Sequence, residues 1–186
     1  MKRLIDMLLL AAALPFVLPL SVVVAFAVKL TSKGPALYWS KRSGKNDIIF
    51  LMPKFRTMRI DTPTVATHLL DEPGRWLTSV GPFLRRTSLD EIPQLFCLLT
   101  GEMTMVGPRP ALFNQDDLIS LRRERGINVL TPGITGWAQI NGRDDLPIPT
   151  KVEFESEYMN RRSPWLDLKI IILTFWKVVR PSNVSH

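Results

Sequence analysis

A run of 22 residues without a single charge, Met7 to Val28, constrains this chain more than any other feature. As a helix rising about 1.5 Å per residue it would reach ~33 Å, enough to match a hydrocarbon layer of ~30 Å. Pro15 and Pro19 sit near its middle, and each removes a backbone donor and crowds the preceding turn. Basic residues flank the run on both sides, Lys2 and Arg3 before it and Lys29, Lys33, Lys41 and Arg42 after it. Positive flanks favour the cytoplasmic side of a membrane. A helix that enters the bilayer, breaks at the prolines and returns accounts for both facts. A Pro-kinked full span is the alternative. A cleaved signal peptide fits less well, because its apolar region is usually ~7 to 15 residues.

The 186 residues suffice for one domain with a real core and are too few for two comfortable ones. The expected division is a membrane helix at residues 1–30 and a globular domain at 31–186. A net charge of +7, with 24 Lys and Arg, points to anionic partners: nucleic acid, phosphorylated small molecules or an anionic membrane surface. Two histidines, His68 and His186, and one cysteine, Cys97, argue against Ser-His or Cys-His nucleophile systems and against a Cys/His zinc site. Chemistry must then rest on Asp, Glu, Lys and Arg, with a hard cation taking oxygen ligands where one is needed. Cys97, inside the apolar run Leu95 to Leu99, reads as a small core residue in a reducing compartment.

The expected fold class is α+β and mostly helical: a small globular domain with a short β-hairpin, a re-entrant N-terminal helix and interfacial amphipathic helices. Ala36 to Trp39 and Ile48 to Met52 form the hairpin strands, separated by the polar Ser40 to Asp47. Residues 60–75 carry no clear period and read as a surface connection with some helix. Asn114 to Arg125 reads as a surface helix whose charges, acidic early and basic late, need no function, with Gly126 as its stop. Trp165 to Val179 has apolar residues near helical spacing and is shorter than a span. It suits either an interfacial helix or a core helix.

Ser88-Leu89-Asp90-Glu91 places a carboxylate pair behind Arg85 and Arg86. Ser88 with Glu91 three residues on matches a capping box, so the segment reads equally as a plain helix start. The functional reading puts Asp90 in the positive field of that helix start, which would hold it ionised and nucleophilic. Adjacent carboxylates can also share a divalent ion. In Gly107-Pro108-Arg109-Pro110, prolines on either side restrict the backbone of Arg109, which serves either as a preset anion ligand or as part of a rigid solvated loop. Thr131 to Trp137 is punctuated by glycines and leads to Asn141-Gly142-Arg143. It reads as a ligand-approach loop or a structural turn region, and matches neither a GxxxxGK nor a GxGxxG pattern.

In order, these motifs resemble the monotopic phosphoglycosyl transferases, a bacterial sugar transferase family. The matching residues are Lys2-Arg3 with Asp6, Pro19, Arg42-x-Gly44, Lys54-Phe55-Arg56-Thr57-Met58, Ser88 to Leu95, Gly107 to Pro110, Pro132 to Arg143 and Leu166-Asp167-Leu168-Lys169, running from about residue 2 to 180. Three positions depart from the pattern. Leu18 stands where Ser usually precedes the kinking proline, with Pro15 as compensation. Cys97 replaces a common Asn. Glu155 replaces a frequent Asp, which would alter how the sugar or metal is held.

The resemblance implies transfer of a sugar 1-phosphate from a UDP-sugar to polyprenol (undecaprenyl) phosphate through an aspartyl phosphosugar, with UMP released. It implies Asp90 as nucleophile, Glu91 in metal binding or proton handling, Mg2+ held by Asp90 and Glu91, and Lys54, Arg56, Arg85, Arg109 and Arg143 on phosphates. Pro15 and Pro19 would form the membrane kink. The catalytic domain, 31–186, would lie at the cytoplasmic face of the bacterial inner membrane, touching lipid, with no nucleic-acid partner and with a homodimer allowed. Two readings of other classes stay open: a membrane-bound nucleic-acid binder, which lacks any recognisable module, and a catalytically silent scaffold of the same fold. Release of UMP separates the enzyme from both.

Overall fold

In a computed structural model, residues 2–63, 72–142 and 146–179 are described. Among them the chain is mostly helical with two small sheets. Its residues fall into two compact units that share several elements: 1–8, 41–50 and 97–186 form one, and 9–40 with 51–96 form the other. His68, His186 and Arg143 lie outside the described residues.

Helix α1, Lys2–Thr31, runs through both prolines and is long and apolar enough to cross a membrane, with a mean hydropathy of 2.5 over its most apolar window. Pro15 and Pro19 have no N–H, so the carbonyls of Ala11 and Pro15 lack their usual donors one turn on; Ser21 adds a side-chain bond to the Val17 carbonyl at 2.7 Å. Most of the helix is bare: Phe16, Leu18, Val23, Phe26 and Leu30 are exposed. Apolar side chains in such a continuous array need a non-aqueous neighbour. Its exceptions are Asp6, Leu10, Val24 and Val28, which are buried. Val24 and Val28 pack with Phe55 and Leu84 to form the core of the second unit.

Side chains bond the last turn of α1 and the turn that follows it. Thr31 and Ser32 hydroxyls donate to the Ala27 and Val28 carbonyls. The Arg56 guanidinium donates to the carbonyls of Ser32 at 3.1 Å and Lys33 at 2.5 Å, in the turn that follows the helix. Gly34 turns the chain at φ +106°, and a Cβ there would collide with that guanidinium.

Strands β1, Leu37–Ser43, and β2, Ile49–Phe55, make the expected hairpin. Both are longer than the apolar runs alone. β1 continues through the polar Ser40 to Ser43 because Ser40 and Ser43 face inward and because a short strand, β4, Ala111–Leu112, pairs antiparallel with it, Arg42 opposite Leu112. The sheet order is β2-β1-β4. The second sheet pairs β3, Thr104–Val106, in parallel with β5, Gly133–Thr135. Here backbones approach so closely that a Cβ on Gly133 would overlap the Gly107 backbone, which is why a glycine stands there.

Helices α2, Gly81–Thr87, and α3, Leu95–Thr100, flank a 3-10 segment, Leu89–Gln94. The capping box does not form. Ser88 lies in the left-handed region at φ 56°, ends α2, and makes no side-chain cap, because a left-handed residue turns its hydroxyl away from the following N–H groups that an extended N-cap would reach. Cys97 is fully buried, as expected of a core residue. Burial, with Glu102 beside it, pushes its thiol up to about 12.

Helix α4, Asp116–Glu124, ends at Gly126 with φ 69°, as its sequence predicts. Short α5, Trp137–Ile140, precedes α6, Ile148–Arg161, and α7, Pro164–Val179. Val106, Leu118, Ile127, Val152, Tyr158 and Ile170 belong to the core of the first unit. α7 packs one side into the core, with Ile170 fully buried, while Trp165, at 80 % exposure, Leu168, Ile172, Phe175 and Trp176 face outward.

Candidate active site

The second unit gathers four of the predicted site residues. Asp90 and Glu91 lie in the first turn of the 3-10 segment, directly after the left-handed Ser88. That turn aims Asp90 inward, leaving it 8 % exposed. Lys54 comes from β2 and donates to Glu91 at 3.0 Å. Arg85 comes from the last turn of α2 and donates through Nε to the Thr57 hydroxyl at 3.1 Å.

The electrostatics differ from the helix-field expectation. Burial raises the Asp90 carboxyl to about 6, Lys54 and Arg85 oppose that rise, and the neighbouring Glu91 carboxylate adds to it. A six-residue 3-10 turn is too weak a dipole to offset the loss of water around a carboxylate. Near neutral pH a group at about 6 is still about nine-tenths ionised. Asp90 is therefore a charged, poorly hydrated carboxylate beside two cations. Burial also pushes Arg85 below its ordinary value, with Asp90 pulling the other way.

Gln94 closes the same 3-10 segment; its side chain is 2 % exposed and its Nε2 has no hydrogen-bond partner. Buried donors without partners are rare. Arg56, also in this unit, is buried and bonded to Ser32 and Lys33 at the end of α1. Among the described residues no three His, Cys, Asp or Glu side chains cluster. Asp90 and Glu91 are the two carboxylates here that could offer oxygens to a cation, and Mg2+ commonly binds through one or two carboxylates with waters and phosphate oxygens.

Arg109 lies in the first unit. It follows β3, half-buried, between two buried prolines. Each carbonyl of the Pro108-Arg109-Pro110 loop has its own donor: Gly133 N–H to Pro108 at 2.9 Å, Arg122 to Arg109 at 2.9 Å and Arg42 to Pro110 at 3.2 Å. Arg122 in turn forms a two-point pair with Glu155, Nε to Oε2 at 2.7 Å and Nη2 to Oε1 at 2.5 Å. Both side chains are nearly sealed from solvent. In the expected surface helix, Arg122 is thus a buried exception, and its partner is Glu155. A signal was present, since Leu118 and Arg122 are four apart and share the buried face of α4.

The N-terminal turn of α1 carries a further polar cluster in the first unit. Lys2 donates to Asp167 at 2.6 Å and to the Tyr158 hydroxyl, which itself donates to Asp167 at 2.7 Å. Asp6 accepts from the Thr104 hydroxyl at 2.5 Å and the Met105 N–H at 3.2 Å. Arg3 reaches the Leu98 and Leu99 carbonyls.

The chain belongs to the bacterial sugar transferase family, whose model matches residues 1–181. It is 40 % identical over 189 residues to the UDP-glucose:undecaprenyl-phosphate glucose-1-phosphate transferase of Xanthomonas campestris pv. campestris, covering 96 % of this chain and 38 % of that protein. The enzyme of the same name from Escherichia coli (strain K12) is 40 % identical over 185 residues, covering 95 % of this chain and 40 % of its own length. An uncharacterised sugar transferase of Bacillus subtilis (strain 168) is 38 % identical over 189 residues and is matched over 91 % of its length. The chain thus spans about two fifths of the two named transferases.

Proposed function

We propose that this chain transfers a sugar 1-phosphate from a UDP-sugar to polyprenol phosphate in two displacements at Asp90. In the first, an Asp90 carboxylate oxygen attacks the β-phosphorus, the bond from that phosphorus to the bridging oxygen breaks, and UMP leaves with the oxygen. In the second, a phosphate oxygen of polyprenol phosphate attacks the same phosphorus, breaks its bond to Asp90 and restores the carboxylate. A covalent intermediate lets a soluble donor and a membrane-bound acceptor react in turn rather than together.

The observation that carries this reading is the state of Asp90: buried and short of water, yet flanked by Lys54 and Arg85. Poor hydration leaves the carboxylate reactive, and the two cations stabilise charge on the transferring phosphoryl group. Arg109 and Arg143 bind donor phosphates. Glu91, tethered by Lys54, shares with Asp90 the holding of Mg2+, which when bound neutralises phosphate charge that would otherwise repel the nucleophile. Arg56 acts by fixing the turn that joins α1 to the hairpin.

α1 is the membrane anchor, and it re-enters with both ends at the cytoplasmic face. Its first turn bonds to folded residues of one unit and its last turns pack in the other. Basic residues on both flanks of its apolar run support a common cytoplasmic side for the two ends. α7 lies at the interface with its tryptophans at headgroup level.

The test is covalent capture. Incubated with UDP-sugar labelled in the sugar and the β-phosphate, without acceptor, the protein should keep label at Asp90 after denaturation and release one UMP. Label at another residue, or UMP release only when polyprenol phosphate is present, would replace double displacement with direct transfer.

A further inference from the structure

We propose that the buried Arg122–Glu155 pair is a positioning device that fixes the backbone from which the Arg109 side chain projects, so that donor affinity depends on a pair that never touches the donor. The inference rests on the proposed role of Arg109 at donor phosphates. Its evidence is the bonding of the loop. Pro108 and Pro110 contribute no N–H, so the loop cannot hold itself by its own backbone donors on either side of Arg109. What fixes it is supplied from outside, one donor per carbonyl, and at Arg109 itself that donor is a side chain, Arg122 Nη2 at 2.9 Å.

Arg122 could not do this unaided. A guanidinium on a helix side chain has several rotatable bonds, and a single bond to a carbonyl leaves it free to swing. Glu155 removes that freedom by taking Nε and Nη2 in a planar fork. With the fork set, the second Nη2 donor direction is set as well, and it meets the Arg109 carbonyl. Glu155 comes from α6 and Arg122 from α4, so the loop is referenced to two helices of the core rather than to solvent. A lysine would keep the charge next to Glu155 but cannot present a fork and a third donor in one plane.

The protein purified in lipid nanodiscs offers two readouts, UDP affinity by calorimetry and donor turnover by nucleotide release. Arg122→Lys should weaken UDP binding and raise KM for the donor about tenfold, with kcat within about twofold, because a misplaced ligand costs affinity for both ground and transition states. Glu155→Asp, which keeps the charge but withdraws the fork by one methylene, should move KM in the same direction by less. The deciding measurement is the cycle with Arg109→Ala: adding Arg122→Lys to Arg109→Ala should weaken UDP binding no further, since a positioning residue has nothing left to position. Multiplying effects would make Arg122 merely structural and overturn the inference. So would unchanged UDP affinity in Arg122→Lys, or in Arg109→Ala. If wild type binds UDP and the cycle behaves as described but no UDP-sugar is turned over, the transfer reading fails and the positioning role stands.

Discussion

The surroundings of Asp90 and of Arg122 treat buried charge in opposite ways. Arg122 meets a carboxylate two-point and a carbonyl, leaving a neutral and geometrically satisfied pair. Asp90 is almost equally buried, but its nearest carboxylate neighbour is repulsive and the cations that favour its charge do not offset its loss of water. One region uses charge to fix a shape. The other keeps a charge at a cost in stability, as expected where a group must react rather than rest.

Substitutions at the two places should therefore diverge. Asp90→Asn should lower turnover by at least about 10³-fold, because an amide cannot carry the phosphosugar, while the protein remains folded; nucleotide release and thermal melting measure both. Glu155→Ala should do the reverse in emphasis. It strands a buried guanidinium, a change that typically costs about 3–5 kcal/mol, so melting temperature should fall steeply and urea midpoints with it. Replacing both partners by Met and Leu should recover much of that loss while leaving donor KM raised.

The stability of Asp90→Asn sharpens the contrast further. An aspartate raised to about 6 when folded, against an ordinary value near 3.9, favours the folded state while protonated. That contribution is fully present below pH ~4 and is lost as pH rises through about 6. Above pH 7 the asparagine variant should thus be the more stable protein, by up to ~3 kcal/mol. The difference should vanish by pH ~4. A wild type whose stability relative to the variant does not fall between these limits would mean that Asp90 is better compensated than its burial indicates.

The sequence made some of this legible and hid the rest for physical reasons. The apolar helix, the hairpin, the Gly126 stop and the core placement of Cys97 follow from local chemistry, and the structure has each of them. Ser88 shows the limit of that approach: its spacing to Glu91 satisfies a capping box, but the same residue must also end α2, and the left-handed turn that does so removes the cap. The rise at Asp90 was hidden because burial is set by the packing of separate segments, here β2 and α2, and no motif encodes it. Arg122 and Glu155 are 33 residues apart, and each looks ordinary until the other is beside it. Family resemblance supplied the roles proposed for Asp90 and Glu91, which residue types alone left shared with a simple helix start.

The smallest expected effect compares the two cations around Asp90. Lys54 lowers the Asp90 carboxyl more than Arg85 does, and Glu91 raises it. Lys54→Met removes the stronger opposing charge and also releases Glu91 from its ion pair, so Asp90 should titrate higher than in wild type. Arg85→Gln removes the weaker one and keeps a hydrogen-bonding group near Thr57. The acid limb of kcat/KM, which reports the free enzyme, should therefore move upward in both variants and further in Lys54→Met, by about a unit or less. Equal shifts would show that the two cations act on Asp90 from equivalent positions. A downward shift in either would mean that the field at Asp90 is set by Glu91 rather than by its cations, and would erase the contrast with the paired charge at Arg122.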